Sequence, residues 1–335
     1  MSFKYVQEKF GRFRVTGGSV KVLNETVSIK KSIAFCRDIA RRANANFSYA
    51  ATLLPIRKRE FFYASYAAMR IIDDIVDDEF MVLDQNKRQV IRGRYQSILK
   101  SWLKQVCGLD GETKGPLDIR VITALQNTVG KSDMGITQWE ELAGALKMDI
   151  LESPMTTWND FINYCEGATV SPASIYIYIS ASSYKPSKGY TYNLEERPRY
   201  YAKNLAIYCY IVHILRDLAK DAVGSTRLIT IPDEVLKEAG LTRKTIQNAV
   251  VNKSQKVFNL AQILSEKASL YKEKGHKAIE ELYPVIGNRE ALALKGLIGV
   301  YDKLFVVAKE KSADFIVNGP KIEKLIRGHL LGIKN

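Results

Sequence analysis

Four cysteines in 335 residues are too few and too scattered for a cross-linked scaffold. Cys36, Cys107, Cys165 and Cys209 never fall at a CxxC spacing, and each sits in an apolar or helical stretch, so buried free thiols are expected. No uncharged apolar run approaches the length of a membrane span, and the opening MSFKYVQEKFGRFRV lacks the continuous apolar core of a secretory signal. The expectation is a soluble protein of a reducing compartment, cytoplasmic in a prokaryote. Strand-like alternation never persists beyond a few residues, no internal repeat is visible, and no GxGxxG is present. Acidic residues are outnumbered, giving a net charge of +14. That excess implies an acidic partner, but the basic residues are dispersed and no aromatic-basic block accompanies them. Nucleic acid is therefore disfavoured against a phosphorylated small molecule or an anionic membrane surface.

What remains is helical. Apolar side chains recur at helical steps over residues 28–45, 85–106, 117–129, 138–150, 157–181, 199–222, 242–274, 276–285, 289–311 and 320–331, with Pro55 opening a further helix. This predicts an all-α, single-domain bundle of about ten helices around a central site, residues 27–335, preceded by an extension over residues 1–26. Ser183 to Pro198 is the clearest loop. Pro172, among small residues, predicts a kink in its helix.

One stretch breaks the apolar pattern. In SYAAMRIIDDIVDDEF, Asp73 and Asp77 share a helix face, about 6 Å apart, with Arg70, Tyr66, Tyr63 and Arg59 on the turns before them. The rest of that helix is apolar, so the acid seam faces inward unless the helix lies on the surface. A second copy favours the interior: YIVHILRDLAKD carries Asp217 and Asp221 at the same spacing beside Arg216. Two carboxylates about 6 Å apart repel by roughly 3 kcal/mol at an effective dielectric of 20, so facing pairs demand cations. Carboxylates without clustered Cys or His suit magnesium, which bridges to substrate phosphates.

In order and spacing, FSYAATLLP, YAAMRIIDDIVDD, YCEGATVSPAS and HILRDLAKD, followed by Arg227 and Pro232, resemble the squalene/phytoene synthase family, the head-to-head trans-isoprenyl diphosphate synthases. The resemblance covers residues 30 to 330. It implies an isoprenoid synthase bundle and a Mg2+-dependent transferase that joins two farnesyl or geranylgeranyl diphosphates. The product would be squalene, dehydrosqualene or phytoene, formed through a cyclopropylcarbinyl diphosphate. By the same likeness Asp73, Asp77, Asp217 and Asp221 hold the metal, and Arg70, Arg216 and Arg227 contact diphosphate. Ser48 and Tyr49 sit on a lid segment or an ordinary interhelical turn, Tyr301 is a pocket tyrosine, and Lys321 closes on a diphosphate. Tyr63, Tyr66 and Tyr210 either face a carbocation or are core residues.

The chain departs from the pattern at Tyr210 and His213, where relatives carry Gln and Asn, at ATVSPAS, at Lys147, and in a longer connector after Asp221. His213 is one turn before Asp217, as a metal or water partner or as a satisfied core group. NADPH-dependent reduction is left open, since these enzymes bind NADPH without a Rossmann unit. The alternatives are a relative that stops at presqualene diphosphate and a non-catalytic, membrane-associated assembly protein.

Overall fold

Proline and the small capping side chains set most of the helix starts. Pro55, at φ −54° and ψ 148°, separates α2 (Ala45–Leu53) from α3 (Ile56–Asp74), and α1 (Ile29–Ala43) precedes them. Asp84 accepts the Lys87 amide at the start of α4 (Gln85–Cys107), which ends on Gly108 at φ 64°. Asp118 caps α5 (Ile119–Asn127), and α6 (Thr137–Ile150) follows. A capping box of Thr157 and Asp160 opens α7 (Trp158–Cys165), which leads into α8 (Ser171–Ala181). The long helix α9 (Pro198–Gly224) precedes α10 (Asp233–Glu238), α11 (Ile246–Val251), α12 (Gln255–Leu282), α13 (Asn288–Glu310) and α14 (Ser312–Leu331). This computed structural model describes residues 28–43, 45–108, 114–224 and 230–331. The extension expected over residues 1–26, and Arg227, lie outside the described residues.

The fold is all-α, with small departures from the sequence reading. The loop at Ser183 to Pro198 contains a short hairpin, β1 (Ser183–Lys185) paired with β2 (Gly189–Thr191), in which Tyr184 faces Tyr190. Gly189, at φ 74°, makes the turn. The break expected near residue 275 is absent because α12 runs through Gly275, where a side chain would come within 2.7 Å of the Leu205 backbone on α9. Conversely, residues 246–251 form their own helix, since Lys253 turns the chain at φ 50° and Ser254 caps α12. α14 begins at Ser312 and continues through Pro320; burial of Phe315, Ile316 and Gly319 outweighs the proline.

Two turns are π-helical, with hydrogen bonds reaching five residues back. Ile75–Phe80 continues α3, and Glu166–Val170 joins α7 to α8. The kink expected at Pro172 is thus a wider turn just before it, with the proline in the first turn of α8. Gly167 in that turn rests directly on α6: a Cβ there would overlap the Glu141 carbonyl and lie 2.8 Å from Ala145 Cβ. Gly167→Ala is expected to push α6 outward at a cost of about 1–3 kcal/mol, read as a lower denaturation midpoint.

α9 runs through the middle, packing against α8, α12, α13 and α14. Trp102 and Trp139 are fully buried, and the Trp102 indole donates to the Ala68 carbonyl at 2.9 Å, tying α4 to α3. Just past α6, Glu152, its side chain 6% exposed, accepts from Arg88 at 2.6 Å and from Arg92 at 2.6 Å. That pairing pins α4 to the end of the helix that carries Asp149. No helix among the described residues is long and apolar enough to cross a membrane.

Candidate active site

The first acid seam lies at the junction of α3 with its π turn. Arg70 Nη1 donates to Asp73 Oδ2 at 3.0 Å, while Nη2 pairs with Asp74 and lies 4.0 Å from Asp78. The Met81 amide reaches back to the Val76 carbonyl at 2.9 Å, so the seam widens instead of continuing as a straight row. Asp77 and Asp78 therefore both stand within electrostatic reach of Asp73.

The second seam is on α9 and is built differently. Arg216 grips Asp217 along one edge of its fork, Nε to Oδ1 at 2.9 Å and Nη2 to Oδ2 at 2.6 Å, while His213 Nε2 stands 3.0 Å from Asp217 Oδ2. His213 is thus on the face of Asp217, as its spacing predicts. Asp221 lies one turn on and is partly buried.

The seams lie within electrostatic reach of each other. α8 packs on both acid helices, which do not pack closely on each other. Asp73 feels the charge of His213 across the gap. Its side chain is 42% exposed, yet burial is the main cause of its raised pKa. A group that water reaches but that is hemmed in by protein is poorly solvated as a charge.

Aromatic side chains stand near both seams. Tyr66 stacks on Phe62 at 5.5 Å, and Phe47 of α2 lies 6.0 Å from it. Tyr301 is buried on α13, within electrostatic reach of Tyr66 and Arg216. Tyr210 lies 6.4 Å from Tyr164 and donates to Thr230 at 3.2 Å. Tyr63 is buried beside Phe62 and belongs to the core. Ser48 is buried on α2, one residue before the half-buried Tyr49, so that segment is helical and not a loop. Lys321 is exposed on α14 and makes no ion pair among the described residues.

Two carboxylates join this site without having stood out in the sequence. Asp149 on α6 accepts from Tyr164 at 3.0 Å and interacts electrostatically with Asp73 and Asp77. Its only signal is its place three residues after Leu146 and seven after Leu142, on a buried apolar face. Glu323 on α14 accepts from Arg216 at 2.7 Å and also from Asn46 of α2.

Electrostatically the seams are short of positive charge. Burial, with the neighbouring carboxylates adding to it, drives Asp77 well above the usual range. Burial likewise pushes Asp149 up to about 7, and Asp74 and Asp221 up to about 6. Asp217 is the exception. Burial opposes its charge, but hydrogen bonds from His213 and Arg216 outweigh it and hold the carboxyl well below its usual range. The donor set is all hard oxygen and fits a magnesium ion that keeps waters and shares a phosphate ligand. Among the described residues no three such groups converge to hold a metal by themselves.

An all-α bundle of this kind is the fold of the isoprenoid synthases. Among solved structures, the chain is similar to a squalene synthase from Alicyclobacillus acidocaldarius, with a TM-score of 0.62 and 20% identity over 84% of this chain and 95% of that one. It is similar also to a dehydrosqualene synthase solved with a ligand, with a TM-score of 0.63 and 20% identity over 91% and 98%. Residues 40–314 match the squalene/phytoene synthase family model, and the chain belongs to that family of prenyltransferases. Its relatives include the 15-cis-phytoene synthase of Synechococcus elongatus, 24% identical over 76% of this chain and 78% of that protein. Another is the 4,4'-diapophytoene synthase of Staphylococcus haemolyticus, 24% identical over 58% of this chain and 60% of that protein.

Proposed function

We propose that this protein joins two prenyl diphosphates head to head, through a cyclopropylcarbinyl diphosphate, to squalene, dehydrosqualene or phytoene. The observation that carries this reading is that the two carboxylate seams, Asp73 and Asp77 on one helix and Asp217 and Asp221 on another, come within electrostatic reach of each other with Tyr66 and Tyr301 nearby. Magnesium held by those four aspartates would neutralise the diphosphate as its C–O bond breaks. Arg70, whose guanidinium already lies among Asp73, Asp74 and Asp78, is placed to turn toward the same oxygens. Tyr66, Tyr210 and Tyr301 offer ring faces to the allylic cation and shield it from water. The relatives named phytoene and diapophytoene synthase support this chemistry and leave the prenyl length open.

Incubating the purified chain with farnesyl or geranylgeranyl diphosphate, with and without magnesium and NADPH, is the test. A hydrocarbon of two joined prenyl chains and released diphosphate are expected only with the metal, and its saturation reports whether NADPH is used. Recovery of both substrates unchanged in the presence of magnesium would overturn the proposal.

A further inference from the structure

The C-terminal helix holds one charged side chain against the proposed site. Glu323 is only 13% exposed, and its two carboxylate oxygens serve different elements, Oε2 accepting from Arg216 of α9 and Oε1 from Asn46 of α2. α14 is seated at the same place through its backbone, since a side chain at Gly319 would overlap the Arg216 carbonyl and lie 2.8 Å from its Cα. Arg216 is thereby fixed from two sides. Asp217 takes the Nε edge and Glu323 takes one Nη1 hydrogen, leaving the second Nη1 hydrogen without a partner among the described residues. Asn46, meanwhile, is two residues before Ser48 and three before Tyr49.

We infer that Glu323 is a positioning residue for diphosphate binding. From α14 it sets the guanidinium plane of Arg216 beside Asp217 and holds the Ser48–Tyr49 helix in fixed relation to it. A planar donor locked by carboxylates on two edges loses little freedom when its remaining N–H meets a phosphate oxygen. Without Glu323 the Nη1 end of the guanidinium loses its anchor, and α2 loses its tie to the acid helix. This inference rests on the diphosphate reading above.

Glu323→Gln keeps the side-chain shape and removes the charge. Three readouts are compared with the parent chain: ligand-free melting temperature, the inorganic pyrophosphate concentration giving half-maximal thermal protection with magnesium present, and KM against kcat. The pyrophosphate midpoint and KM are both expected to rise about tenfold, the loss of one charge-assisted contact, with kcat changed less and ligand-free melting nearly the same. Glu323→Asp, which keeps the charge, should recover part of the affinity. A purely structural strut would instead lower the melting temperature and the active fraction with KM and the midpoint unmoved, and that result overturns the inference. Asn46→Leu cuts the α2 tie to Glu323 while leaving the Glu323–Arg216 pair in place, and reads the same midpoint; an unmoved midpoint there overturns the coupling of α2 to Arg216 even if Glu323→Gln does not fold. A parent chain that pyrophosphate and magnesium fail to protect would overturn the diphosphate reading and this inference together. A protected parent with indifferent variants overturns this inference alone.

Discussion

Asp73→Asn should abolish turnover, by about a thousandfold or more, without weakening the fold. A factor of a thousand is about 4 kcal/mol of transition-state stabilisation, a reasonable loss when a ligand of a diphosphate-bound cation is made neutral. The stability half follows from the surroundings of Asp73. Its charged form is disfavoured in the ligand-free protein, and Arg70 keeps Asp74 as a partner when Asp73 is neutralised. Melting temperature measured without metal should therefore stay level or rise, as expected where a site accepts local instability for function. Asp217→Asn provides the contrast. It too should abolish turnover, but it takes from buried Arg216 the carboxylate on its Nε and Nη2, leaving Glu323 on Nη1, and should cost about 1.5–3 kcal/mol of stability, the usual loss of a hydrogen-bonded charged partner. An Asp73→Asn enzyme within tenfold of the parent would remove Asp73 from the reaction. Equal destabilisation by both substitutions would contradict the asymmetry between the seams.

That asymmetry marks where the sequence stops being readable. The four aspartates were legible because i, i+4 spacing on otherwise apolar helices is a local property, and Arg70, Arg216 and His213 came with them. Helix periods, likewise, sufficed for an all-α bundle. The π turn at Ile75–Phe80 left no trace in composition: its hydrogen bonds slip by one residue, and this brings Asp78 toward the seam alongside Asp77. Asp149 lay in an ordinary amphipathic helix and became notable only when Tyr164 and Asp73 were found beside it. Glu323 was hidden for a different reason. The helical period reads only over residues 320–331, and the family resemblance, not the helix pattern, draws attention to Lys321. Gly319 packing on Arg216 settles the register and turns Glu323 inward, while Lys321 faces out. For Asp149 and Glu323 the missing information was a contact distant in sequence, 76 positions away at Asp73 (149 − 73) and 107 positions away at Arg216.

The same crowding of carboxylates gives the metal-free protein a pH dependence opposite in sign to that of most acid-sensitive folds. Asp149, at about 7, and Asp221 and Asp74, at about 6, hold their protons more tightly folded than in an unfolded chain, where the value is about 4. Between those values the native state binds more protons than the unfolded one, so stability is complete at the acid end and is lost as pH rises through 6 and 7. Asp217, shifted the other way, contributes stability that disappears only below about pH 4, outside this window. Chelator-treated protein should therefore melt several degrees lower at about pH 8 than at about pH 5. Magnesium reverses the trend, because the ionised carboxylates that repel one another are the form that binds it, and protons compete with the metal at the acid end. The magnesium-induced rise in melting temperature should accordingly be large at about pH 8 and small at about pH 5, and Asp149→Asn should flatten the metal-free profile. Differential scanning calorimetry across that range decides the matter: a metal-free protein that gains stability toward alkaline pH, or a magnesium effect indifferent to pH, would mean that these carboxylates do not crowd one another.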